Sequence, residues 1–72
     1  MGFDWDSAKN ASNYRKHRVS LEDATAVFDD PGKVGWLCSD PGDVEERFMV
    51  VGRLGWNIVS VVYAERGHQL RL

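Results

Sequence analysis

Sulfur is nearly absent from this chain: among its 72 residues Cys38 is the single cysteine, which excludes an intrachain disulfide and any zinc cluster built from several thiolates. A reducing, cytoplasmic setting is the expected home. Long apolar runs are missing too, since the longest, Ile58 to Ala64, is far short of a membrane span. The N-terminal MGFDWDSAKN carries acids and lacks a basic-then-apolar leader, so neither export nor membrane attachment is expected. The seven glycines lie at turns rather than in a strand-loop-helix phosphate loop, and no HExxH, EF-hand or paired-cysteine spacing occurs. Neither a metal nor a nucleotide cofactor is therefore expected. What is present, 43% hydrophobic and 28% charged residues, suits a folded globular chain rather than a disordered one. With no repeat, low-complexity tract or linker, residues 1–72 are expected to form a single domain.

Helices open the chain. Asp6 is a candidate N-cap for a helix from Ser7 to about His17, with Ala8, Ala11 and Tyr14 as its modest apolar stripe. Ser20 starts a second, with Asp23 three residues on and Leu21, Ala24, Val27 and Phe28 at helical spacing until Asp29-Asp30-Pro31-Gly32 stops it. The pattern then changes to strands. Lys33 to Cys38 is a short extended candidate. Arg47 to Arg53 and Asn57 to Tyr63 form a hairpin about a Leu54-Gly55 turn. Both arms are apolar on nearly both faces, which predicts a central hairpin covered by the helices. Glu65 to His68 turns the chain into a last strand, Gln69 to Leu72, and Gly2 to Trp5 is a further short strand candidate. The expected fold is α+β: two N-terminal helices packed on a mainly antiparallel sheet of three or four strands, with Phe28 and Tyr14 against Val59 or Val61.

The formal net charge is −2, yet Ser7 to Val19 holds Lys9, Arg15, Lys16 and Arg18 without one acid. An uncompensated basic patch attracts phosphate, and a solvated helix face with cations near its C-terminus is the alternative. Arg47, Arg53, Arg66 and Arg71 recur on the strands or their ends, where a planar guanidinium binds phosphate through two N–H groups; ion pairs with the interspersed Glu45, Glu46 and Glu65 are the alternative. Histidine is the side chain that exchanges protons near neutral pH, and His17 and His68 are the two candidates for acid-base work on RNA. Cys38, with no activating base beside it in sequence, is assigned a structural role.

These strings, FDWDSAKNASNYRKHRVSLEDATAVFDDP, EERFMVVG and VVYAERGHQLRL, resemble the BrnT-like toxins, the ribonuclease partners of BrnT/BrnA toxin-antitoxin pairs. Phe3-x-Trp5-Asp6, Lys9, Asn13, Lys16-His17, Val19-Ser20, Glu22, Ala24 and Phe28-x-Asp30 carry most of the likeness. The resemblance implies a RelE-like ribonuclease that needs no metal, inhibits translation and is neutralised by a BrnA-like antitoxin. It implies Lys16, His17, Arg47 and Arg66 as catalytic residues, with Lys9, Arg15, Arg53 and Arg71 as RNA-binding residues. Arg18 stands where these toxins usually place a helix-capping glycine. The toxins also continue past the last strand into a C-terminal helix, so a shortened chain of little or no activity is expected. Its alternative role is a non-catalytic module that docks an antitoxin or self-associates as a homodimer through its sheet.

Overall fold

A computed structural model describes residues 2–72. The order is β1 (Gly2–Asp4), α1 (Ser7–His17), α2 (Leu21–Ala24) leading directly into a 3-10 segment (Thr25–Asp29), then β2 (Val34–Leu37), β3 (Phe48–Leu54), β4 (Asn57–Arg66) and β5 (Gln69–Arg71). The strands form one sheet in the order β1-β5-β4-β3-β2, antiparallel except where β1 runs parallel to β5. Five strands thus replace the expected three or four. The Gly2-to-Trp5 candidate becomes a three-residue strand bonded to another of three residues, a pairing visible only once the chain has folded back on itself.

Local chemistry accounts for the helix boundaries. The Asp6 carboxylate accepts from the N–H groups of Ala8 at 2.7 Å and Lys9 at 3.4 Å, satisfying donors that the first turn of α1 leaves free. At the other end Arg18 adopts φ 61° and donates its N–H to the Tyr14 carbonyl at 2.7 Å, so an arginine fills the left-handed cap. Ser20 Oγ caps α2 through the Asp23 N–H at 3.0 Å. The expected continuous second helix tightens after one turn, where the Thr25 hydroxyl bonds the Glu22 carbonyl at 2.7 Å.

The core lies between α2, the 3-10 segment and the inner sheet face: Leu21, Ala24, Val27, Val50, Val61 and Leu72 are buried together. Val50 and Val61 sit directly opposite each other in the central hairpin. Phe28 packs tilted against Phe3 at 5.2 Å and edge-to-face against Tyr63 at 5.1 Å between ring centres, tying the 3-10 segment to β1 and β4.

Several expectations need correction. The Ala8, Ala11 and Tyr14 stripe faces solvent and no residue of α1 is buried, so Tyr14 does not pack on Val59 or Val61. Instead α1 docks through two amides: Asn10 Oδ1 accepts from the Leu21 N–H at 2.7 Å, and Asn13 Nδ2 donates to the Val19 carbonyl at 2.7 Å. The helices cover only one face of the hairpin; the other leaves Val34, Trp36, Ile58 and Val62 exposed. The hairpin turn falls at Gly55-Trp56, one residue later than expected, and the second falls at Gly67-His68, within the expected Glu65-to-His68 stretch; in each a glycine with φ 62° occupies the first turn position. Cys38 is exposed rather than a buried structural residue. Among the described residues no helix is long and apolar enough to cross a membrane.

Candidate nucleic-acid interface

Strand register gathers the sheet's arginines. Arg71 lies opposite Ala64 on one side and Asp4 on the other, while Arg66 lies opposite Gln69 one step diagonally away. Alternation along β4 and β5 therefore puts Arg66 and Arg71 on the same, outer face. Arg47 precedes Phe48, whose partner is Tyr63, so the same register carries Arg47 into line with Ala64. A small side chain between two guanidiniums leaves space. A cavity of about 420 Å³ opens there, rimmed by Arg47, Arg66, Arg71, Tyr63 and, from the first turn of α1, Lys9.

Two carboxylates engage this cluster. Glu45 takes both Nε and Nη2 of Arg66, at 2.9 and 3.1 Å, and Asp4 takes Nη1 of Arg71 at 2.8 Å. The bidentate contact holds the Glu45 carboxyl below its ordinary 4.5 and pushes the Arg66 guanidinium up. Lys9 and Arg47 have no ion pair among the described residues. Both existing pairs are solvent-accessible, with Glu45 and Asp4 side chains 41% and 47% exposed, so neither is locked against an incoming anion.

A second, larger hollow of about 700 Å³ adjoins the first and shares Lys9, Val62 and Leu72 with it. Lys9, Asn13 and His17, four residues apart on α1, form one wall, and β4 from Asn57 to Val62 forms the other. No acidic side chain lines it.

The eight candidate residues therefore divide. Lys9, Arg47, Arg66 and Arg71 converge on one cavity, and His17 lines the adjoining hollow two helical turns beyond Lys9. Arg15 and Lys16 are exposed on α1 and line neither space. Arg53, about 20 Å along β3 from Arg47 by strand rise, instead gives its N–H to Asp30 at 2.7 Å. Of the expected ion pairs only that of Glu45 forms, and Asp4 adds one that the sequence reading missed. Its signal was the parallel register of β1 with β5, which no local pattern encodes.

Comparison with known proteins extends this picture. No curated protein matches the chain. Residues 5–72 match the family model described as "Ribonuclease toxin, BrnT, of type II toxin-antitoxin system". That match favours a ribonuclease over a non-catalytic docking module, and it implies an antitoxin and an RNA as partners. Every strand and helix that frames the arginine cavity, apart from the short β1, lies inside the matched span, and the chain belongs to the BrnT family of ribonuclease toxins.

Proposed function

We propose that the chain cleaves RNA without a metal, as a RelE-like toxin that stops translation, and that RNA lies across the rim shared by the two cavities. The supporting observation is the convergence of Lys9, Arg47, Arg66 and Arg71 from four separate parts of the chain. Guanidiniums bind two phosphate oxygens at once, and their fixed charge meets the charge that builds on those oxygens as the phosphorus gains a fifth ligand. RNA supplies its own nucleophile. The 2′-hydroxyl attacks the adjacent phosphorus while its proton passes to a base. The P–O5′ bond breaks, the 5′-oxygen takes up a proton, and a 2′,3′-cyclic phosphate remains. His17 is the proton-transfer group in this reading, since it lines the hollow that adjoins the arginine cavity, on the same side of α1 as Lys9. Lys16 beside it adds positive charge.

Cleavage of a labelled single-stranded RNA tests the proposal. Activity is expected to persist in EDTA. His17→Ala is expected to slow cleavage by about 10²-fold or more while RNA binding changes little. Loss of cleavage in EDTA, or undiminished cleavage by His17→Ala, would contradict it.

A further inference from the structure

The outer face of the sheet carries an aromatic side chain beside the arginine cavity. Trp36 lies opposite Met49 on β3, and Met49 lies opposite Val62 on β4, so the three form one row across the sheet with their side chains on the same face. Val62 itself lines the arginine cavity. The next row toward that cavity is Cys38, Arg47 and Ala64. There the Cys38 N–H donates to the Arg47 carbonyl at 2.8 Å, which carries the pairing of β2 with β3 one residue past the strands and keeps Arg47 in alternation with Met49. Strand rise and strand spacing put Trp36 about 8 Å from Arg47 between Cα atoms, the reach of a single nucleotide from phosphate to base. On the far side of Trp36 stand Val34, Val51 and Ser60, and these three rows hold no acidic side chain. Trp36 is 48% exposed beside a half-buried Met49, so it is anchored on a strand and still open to a flat ligand.

A single RNA strand presents two kinds of surface, an anionic phosphate and a base with flat apolar faces. A guanidinium with an indole one nucleotide away matches both. A second copy of the chain laid on this face would bring Arg47, Arg66 and Arg71 against themselves, and like charges oppose that pairing. We infer that Trp36 stacks on an unpaired base next to the phosphate held at Arg47, which makes single-stranded RNA with a splayed base the substrate class. The inference rests on the RNA reading of the arginine cavity. A base inside a duplex is stacked on its neighbours and offers no free face, so duplex RNA does not use Trp36. An indole accepts any base, and Trp36 therefore positions the strand rather than reading its sequence.

Fluorescence anisotropy with the 72-residue chain and two labelled 2′-O-methyl RNAs tests the inference, one an oligoadenylate and the other of the same length and backbone without bases. Methylation removes the 2′-hydroxyl nucleophile, so neither strand is cleaved. The parent chain is expected to bind the adenine strand about tenfold or more tightly than the abasic one. Trp36→Leu keeps an apolar side chain on the strand but no ring, and it is expected to erase that difference while binding the abasic strand as the parent does. Trp36→Phe should restore most of the difference. Trp56→Leu, at the fully exposed hairpin turn, should leave both affinities unchanged. Equal binding of the two strands by the parent, or a base preference that survives Trp36→Leu, would overturn the inference. Weaker binding of the abasic strand by Trp36→Leu would make the residue structural and overturn it as well. Arg66→Ala should weaken both strands alike; if it weakens neither, the arginine reading fails, whereas the comparison of strands in the parent and in Trp36→Leu still reports on stacking.

Discussion

Arg18 shows how much a single backbone position can reveal. The left-handed cap was foreseeable because the sequence places an arginine where related toxins place glycine, and the structure holds it at φ 61°. A side chain there crowds its own backbone, so Arg18→Gly is expected to stabilise the fold by roughly 0.5–1 kcal/mol, after the greater unfolded freedom of glycine is counted. Urea denaturation measures it, and a lower midpoint would contradict it. The caps at Asp6 and Ser20 were equally legible, since capping depends on neighbours within three residues. Asn10 and Asn13 were not. Their amides reach across a loop to Leu21 and Val19, and nothing in their immediate sequence distinguishes a docking amide from a solvated one. Asp30 joins two elements in the same non-local way. Its carboxylate accepts from the N–H groups of Gly32 and Arg53, and these bonds hold its pKa below the ordinary 3.8. A lowered carboxylate pKa stabilises the fold above its unfolded value, and that contribution disappears as pH falls through the folded value. The acid limb of a stability-pH curve should therefore steepen below about pH 3.8 and flatten in Asp30→Asn. An unchanged limb in the variant would remove Asp30 from the linkage.

The elements meet most closely where the 3-10 segment crosses β3. A Cβ built on Gly52 would lie 2.8 Å from Val27 Cγ1 and 3.2 Å from the Val27 carbonyl, and Val27 is wholly buried. The glycine is there for proximity rather than for a turn. Gly52→Ala is expected to cost about 1–3 kcal/mol, since the core must shift to admit a methyl group. A thermal melt equal to that of the parent would mean that the 3-10 segment lifts freely from the sheet. The hairpin of β3 and β4 was the clearest element in the sequence because β-branched residues and a glycine turn mark it locally. Its apolar character on both faces suggested double coverage. The structure covers one face and leaves Val34, Trp36, Ile58 and Val62 exposed on the other. β1 escaped firm assignment for another reason: three residues carry too little periodicity, and their pairing partner is Gln69–Arg71.

Across the whole molecule, the candidate site is a product of topology. The register of β5 with β1 and β4 and the approach of α1 bring together residues 9, 47, 66 and 71, which are spread through most of the chain. Sequence reading put Arg66 and Arg53 on one RNA surface, the first as catalytic and the second as RNA-binding. The fold parts them to opposite ends of the hairpin. The account's central claim is that Arg66 leaves Glu45 to hold RNA phosphate rather than remaining a surface ion pair. The most direct measurement is the salt dependence of binding to a single-stranded RNA for the parent chain, Arg66→Ala and Arg53→Ala. If Arg66 contacts one phosphate, the slope of log affinity against log salt should become shallower by about 0.7 in Arg66→Ala and stay unchanged in Arg53→Ala. An unaltered slope in Arg66→Ala would contradict the account.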